Sequence, residues 1–277
     1  MKNKPLLVLA VVLTALLLFG APEAALAAPV EQPGVAAEAA CLMLTSSKRV
    51  LYDKNKDGIM YPASTTKIVT LLTALEKGQL NDEVVVSEAA ADCEESRLGL
   101  HAGDRLSLRE LLYGMMLPSG NDAAVAVGEH VGHGSLEAFI AMMNEQAQRA
   151  GATRTNFTNP HGLPDPINHY TTAYDMALIT TYAYGKPEFT SIVNSRTHSV
   201  IFANRGKITV SNTNRLLGRF AGANGVKTGY TREAGECLVA GAERGGVQLI
   251  AVVLNSPQRW ADAARLLEYG FKTLGIQ

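Results

Sequence analysis

Three short segments carry side chains able to do chemistry together: Ser64-Thr65-Thr66-Lys67, Ser119-Gly120-Asn121 and Lys227-Thr228-Gly229. An alcohol is a poor nucleophile at neutral pH and needs an adjacent base. A lysine three residues further along a helix shares the serine's face, so the Lys67 amine is placed to reach the Ser64 hydroxyl. The amine can act only when neutral, which requires burial or a neighbouring positive charge, and Lys227 supplies that charge if the third segment lies alongside. A serine amide at a helix start also leaves a free N–H for an oxyanion. Ser119 is placed to relay a proton to a leaving amine, and Asn121 to hold Lys67 and a substrate carbonyl. Glycines around Lys227 and Thr228 let a ligand backbone approach a strand edge, where these two side chains would recognise a carboxylate and the ligand would pair as an added strand. Taken singly, each segment has a plainer explanation: helix N-caps at Ser64 and Asn121, and an ordinary edge strand at 225–231.

The elements that must position these residues are legible in outline. Apolar runs at 40–45 and 50–53 around Ser-Ser-Lys-Arg predict a β-hairpin. Asp53-Lys54-Asn55-Lys56-Asp57-Gly58 imitates the start of an EF-hand loop, but the twelfth position is Ser64 rather than a bidentate glutamate, so a turn is expected. Helical periodicity starts at Ser64 and runs to Gly78, and it returns over 107–117, 121–131, 135–150 and 172–184. After Pro187 the pattern turns strand-like, at 198–202, 207–210, 235–242 and 247–254, with Arg244-Gly245-Gly246 as a hairpin turn and an amphipathic helix over 261–274. Hairpins at both ends predict an α+β fold. Its one mixed, mainly antiparallel sheet is flanked by helices, with a helical subdomain inserted at roughly 80–185.

Bulk properties narrow the partners. The 277 residues are 47% hydrophobic with a formal net charge of −1 and no basic patch, which argues against nucleic acid. Lysines within 1–4, an uncharged apolar run over 6–19 and Ala25-Leu26-Ala27 have the order of a secretory signal peptide spanning 1–27. The apolar run covers about 21 Å as a helix, short of a ~30 Å hydrocarbon core. Export is therefore expected, with membrane association only through an uncleaved N-terminal segment. Residues 28–36 read as a flexible leader, and 37–277 as one catalytic domain with no second domain after it. Cys41, Cys93 and Cys237 are too few for a disulfide framework; buried free thiols are expected, although Cys41 and Cys237 both lie in strand-like runs where one bridge would fit. His130 and His133 lack further ligands, so neither a metal nor another cofactor is expected.

In this order and these contexts, the three segments resemble the signature of penicillin-recognising serine enzymes. Tyr61-Pro-Ala-Ser-Thr-Thr-Lys67, Leu117-Pro-Ser-Gly-Asn-Asp-Ala123, His161-Gly-Leu163, Thr172-Ala-Tyr-Asp-Met-Ala177, Gly225-Val-Lys-Thr-Gly-Tyr-Thr231 and Ala234-Gly-Glu-Cys-Leu-Val-Ala240 narrow the likeness. Together they resemble the low-molecular-weight D-alanyl-D-alanine carboxypeptidases of the S11 peptidase type, from about residue 37 to about 275.

That resemblance implies a β-lactamase/transpeptidase-like fold and an acyl-enzyme on Ser64, formed from peptidoglycan stem peptides and trapped by β-lactams. It implies an oxyanion hole from the N–H groups of Ser64 and Tyr230. It also implies that Arg259 helps bind the terminal carboxylate, although an exposed arginine capping a helix fits the same position. His161 and Asp175 are read as structural supports. Residues 212–215 depart from the family pattern by placing Arg215 ahead of the third segment, so substrate reach is expected to vary there. The alternatives are a D,D-endopeptidase cutting cross-links, a secreted β-lactamase, and a wall-binding protein without activity. A class A β-lactamase is disfavoured by Gly120 in the second segment and by the lack of a Glu-x-x-Leu-Asn string between 121 and 227.

Overall fold

The computed structural model describes residues 30–276. The signal peptide expected at 1–27 and the start of the expected leader lie outside them. Five strands form the central sheet in the order β2-β1-β9-β8-β7: β1 (Ala39–Leu44), β2 (Arg49–Lys54), β7 (Ala223–Thr231), β8 (Gly235–Arg244) and β9 (Val247–Leu254). Every pairing is antiparallel, so the mixed sheet expected from the sequence is not found. The first and last strands meet through β1 against β9, which needs no parallel crossover.

The buried stretches of the central strands are apolar because both faces are covered. Ala39, Cys41 and Met43 of β1 join Val239 and Val252 in a core shared with the helical block, whereas Ala40 and Leu42 face the opposite way with Leu238, Ala251 and Val253. The second face is covered by the C-terminal helix through Ala263, Leu266, Leu267 and Phe271. Successive side chains of a strand point to opposite faces, so one run of sequence serves both cores.

Between β2 and the last strands lies the helical block: α1 (Lys67–Lys77), α2 (Glu88–Ala91), α3 (Leu108–Met116), α4 (Asn121–Val131), α5 (Leu136–Ala150), α6 (Ala173–Ala183) and α7 (Pro187–Asn194). The N-caps Ser107, Ser135 and Thr172 each accept an amide of the first turn, which is why these helices begin where the sequence placed them. Helix α7 was not expected. Pro187 reads as a break, yet proline suits the first helical turn, where its missing N–H costs nothing. Two small ribbons complete the fold, β3 (Glu83–Val85) with β4 (Arg105–Ser107) and β5 (Thr197–Phe202) with β6 (Gly206–Ser211); neither joins the central sheet. The last helix is α8 (Arg259–Thr273). The end of the expected leader is held down: Val35 O accepts from Lys54 Nζ at 3.0 Å, and the amides of Ala36 and Ala37 donate to Asp262. Cys41, Cys93 and Cys237 are all free thiols, the first and last buried in β1 and β8.

Candidate active site

A single 3₁₀ turn, Ala63–Thr66, precedes α1 and carries Ser64, so Ser64 and Lys67 stand three residues apart where a three-residue turn eclipses them. Lys67 Nζ lies 3.0 Å from Ser64 Oγ, 2.7 Å from Asn121 Oδ1 and 2.9 Å from the His161 carbonyl oxygen. The lysine is fully buried, and this burial, with the charge of Lys227 second, holds its pKa well below the ordinary value of 10.5. A neutral amine has two N–H groups and one lone pair. Asn121 Oδ1 and the His161 carbonyl can only accept, so they take the two N–H groups and leave the lone pair for the Ser64 hydroxyl proton. When neutral, Lys67 in this arrangement is able to accept a proton from Ser64.

The turn is held from below. Thr66 Oγ1 donates to Ala63 O at 2.8 Å and lies 2.9 Å from His169 Nε2. His169 Nδ1 accepts the Thr158 amide, so the proton sits on Nε2; burial lowers this histidine to about 4 and keeps it neutral. The His161 ring is likewise neutral, lowered to about 3 by burial, and its Nδ1 accepts the Leu163 amide. Its ring is a structural support, as the sequence suggested, but its carbonyl belongs to the site.

The second segment joins α3 to α4. Ser119 is 7% exposed and adopts φ 71°, a left-handed conformation uncommon for a side chain with a Cβ and frequent at functional sites. Gly120 is required there: a Cβ would lie 2.9 Å from Gly114 O and 3.0 Å from Leu98 N. Asn121 Nδ2 donates to Glu94 O at 3.1 Å, which turns Oδ1 toward Lys67. Buried Asp122 accepts the amides of Leu98, Gly99 and Leu100, tethering the preceding loop to this segment.

The third segment lies on β7, the edge strand beside the nucleophile turn. A Cβ on Gly229 would sit 3.1 Å from Ser64 N, Pro62 O and Ala63 Cβ, so only glycine lets the strand come this close. Buried Lys227 donates to Thr228 O at 3.0 Å; burial first, and the Arg259 charge second, lower its pKa to about 7. Thr228 Oγ1 lies 2.7 Å from Thr213 Oγ1. Arg259, the first residue of α8, is not an exposed cap: its side chain is 16% exposed and Nη1 donates to Gly229 O at 2.9 Å. Tyr230 is 63% exposed and, with Glu95, Pro164, Thr231, Arg232 and Glu233, lines a groove of about 450 Å³.

The structure thus gathers Ser64, Lys67 and Asn121 by direct hydrogen bonds and brings Lys227, Thr228, Gly229 and Arg259 against them. Ser119 enters on the same loop as Asn121. Sequence reasoning missed the His161 and Glu94 carbonyls, which no residue type announces, and Thr213, which lies in the polar 212–215 segment it had marked as unusual.

Known proteins fit this geometry. Residues 27–258 match the model of the Peptidase_S11 family, D-alanyl-D-alanine carboxypeptidase. The D-alanyl-D-alanine carboxypeptidase DacF of Bacillus subtilis is 37% identical over 243 residues, covering 85% of this chain and 62% of that protein. A D-alanyl-D-alanine carboxypeptidase of Streptomyces K15 is 36% identical, covering 93% of this chain and 94% of its own. The crystal structure of the Streptomyces K15 DD-transpeptidase superposes with a TM-score of 0.84 at 35% identity, over 88% of this chain and 100% of that one. The chain spans less than two thirds of the Bacillus relative but nearly all of the Streptomyces one. With its serine, lysines and asparagine where the family match falls, the chain belongs to the Peptidase_S11 family of D-alanyl-D-alanine carboxypeptidases.

Proposed function

We propose that this chain is a serine D,D-carboxypeptidase that removes the last D-alanine from peptidoglycan stem peptides. Lys67 takes the Ser64 proton as Oγ attacks the carbonyl between two D-alanines. The oxyanion is held by the amides of Ser64 and Tyr230, a role favoured by the close approach of Gly229 to Ser64 N. Ser119 hands its proton to the departing amine and takes in its place the one Lys67 gained, and Lys227, Thr228 and Arg259 hold the terminal carboxylate. Water then hydrolyses the ester, returning Ser64 and Lys67 to their starting forms. A β-lactam acylates the same oxygen and leaves slowly. The observation that carries this reading is Lys67 buried between two obligate acceptors with Ser64 at 3.0 Å. The signal-like N-terminus supports action outside the cytoplasmic membrane, on the wall and thus on cell shape.

Mass spectrometry with and without penicillin tests the reading: the intact protein gains one acyl adduct on Ser64, and Ser64→Ala gains none. An adduct on Ser64→Ala overturns it. Digestion of purified muropeptides separates the activities, since loss of one D-alanine from a pentapeptide differs from splitting a cross-linked dimer, the endopeptidase outcome. Rapid nitrocefin turnover would instead mark a β-lactamase. A second reading, transfer of the acyl group to an amine instead of water, is favoured by the likeness to the structure described as a DD-transpeptidase. Adding an amine acceptor to the pentapeptide assay distinguishes the two by the product formed.

A further inference from the structure

Beside the carboxylate end of the site stands a second arginine that the three segments do not include. Arg215 is exposed and rises from a pinned turn: Asn214 is buried, its Oδ1 accepts the Leu216 amide, and its backbone N–H donates to Asn212 Oδ1. The same turn brings Thr213 Oγ1 to 2.7 Å from Thr228 Oγ1. The Arg215 guanidinium carbon lies 5.8 Å from the centroid of the Trp260 ring, and that of Arg259 lies 4.9 Å from the same centroid. One indole therefore gathers two cations, no further apart than about a Debye length at moderate salt.

Only one of the two charges is offset nearby. Arg259 has Glu236 at 3.6 Å, whereas the ion pairs of the surrounding segment, Arg244 with Glu268 and Arg265 with Asp262, do not include Arg215 among the described residues. A second guanidinium over the same indole as an arginine bonded to Gly229 O concentrates positive potential beside the strand that carries Thr228. Such a concentration costs stability unless an anion visits it.

We propose that Arg215 is a specificity-determining residue of this site, which with Arg259 and Trp260 forms an outer cationic rim that draws in substrates ending in a free carboxylate. The inference rests on the carboxypeptidase reading above, and it adds one residue to the carboxylate end of that site.

The chain contains one tryptophan, so Trp260 fluorescence reports on this rim directly. In the Ser64→Ala protein, N-acetyl-D-alanyl-D-alanine and its C-terminal amide are titrated against that signal. Arg215→Gln raises the Kd of the acid about threefold to fivefold, as expected for an exposed charge contact, and leaves the Kd of the amide unchanged. Arg215→Lys restores most of the difference, and high salt removes it. In the protein with Ser64 intact, penicillin, itself a carboxylate, acylates Arg215→Gln slower by a similar factor at low salt. Equal acylation rates, an unchanged Kd for the acid, or equal losses for acid and amide overturn the proposal. If penicillin fails to acylate Ser64 in the parent protein, the carboxypeptidase reading itself falls, a result distinguishable from all of these.

Discussion

An amine sealed from solvent beside a second amine cannot keep its proton at the usual cost, and the chemistry of Ser64 follows from that. Lys67→Ala leaves the serine without a base; acylation by penicillin is expected to slow by about a thousandfold, read by stopped-flow or mass spectrometry, while the circular dichroism spectrum is unchanged. The pH profile has a definite shape. Acylation rises as pH passes the lowered value of Lys67, because only the neutral amine accepts a proton. For a carboxylate substrate it falls again above about 7, where Lys227 loses its charge, and the two limbs belong to the coupled pair. A neutral acyl donor lacks the falling limb. Lys227 also affects stability. Its folded value of about 7 lies below the unfolded 10.5, so the unfolded chain binds more protons between these values and stability rises with pH across that window. Lys227→Met is expected to abolish activity yet raise stability at pH 7 by on the order of a few kcal/mol, with a flatter dependence from pH 7 to 10 in urea titrations.

At the scale of elements, the nucleophile turn works because a loop from the helical block clamps it. Ala63 adopts φ 47° immediately before Ser64, and Gly162 packs so closely that a Cβ would lie 1.9 Å from Ala63 O. Gly162 itself has φ 93°. Gly162→Ala must displace either the turn or the His161 carbonyl, so it is expected to cost about 2 kcal/mol in urea unfolding and to slow acylation by roughly tenfold or more. The elements carrying chemistry were legible: the i, i+3 pair Ser64 and Lys67, the helix starting at Asn121, and the glycine-flanked strand at Lys227. What hid was of two kinds. Strands β3 and β4 are too short to show a period of two, and α7 was masked by reading Pro187 as a stop. The clamp was invisible because a carbonyl oxygen such as that of His161 is common to every residue, and only the folded chain says which one matters.

For the whole molecule, the pairing of β1 with β9 joins the start of the described chain to its end. Buried Asp262 of α8 reinforces this seam, accepting from the amides of Ala36 and Ala37 and from Ser256 Oγ at 2.7 Å. Asp262→Ala leaves the buried Ala37 amide and Ser256 hydroxyl without their acceptor; a loss of about 3 kcal/mol is expected, and hydrogen exchange should quicken first in Ala39–Leu44. The two-ended sheet was foreseeable from hairpins at both termini. Its wholly antiparallel order was not, since apolar runs buried on both faces carry no sign of direction.

The seam has a consequence for timing. The nucleophile lies in the first quarter of the chain, but the wall opposite it, β7, and the strand that seats β1 come in the last quarter. A growing polypeptide holds Ser64 and Lys67 early, without the Lys227 charge that helps lower the amine or the strand that grips a carboxylate. Reactivity is withheld until the tail arrives, so an incomplete copy is inert toward the wall and toward antibiotic alike.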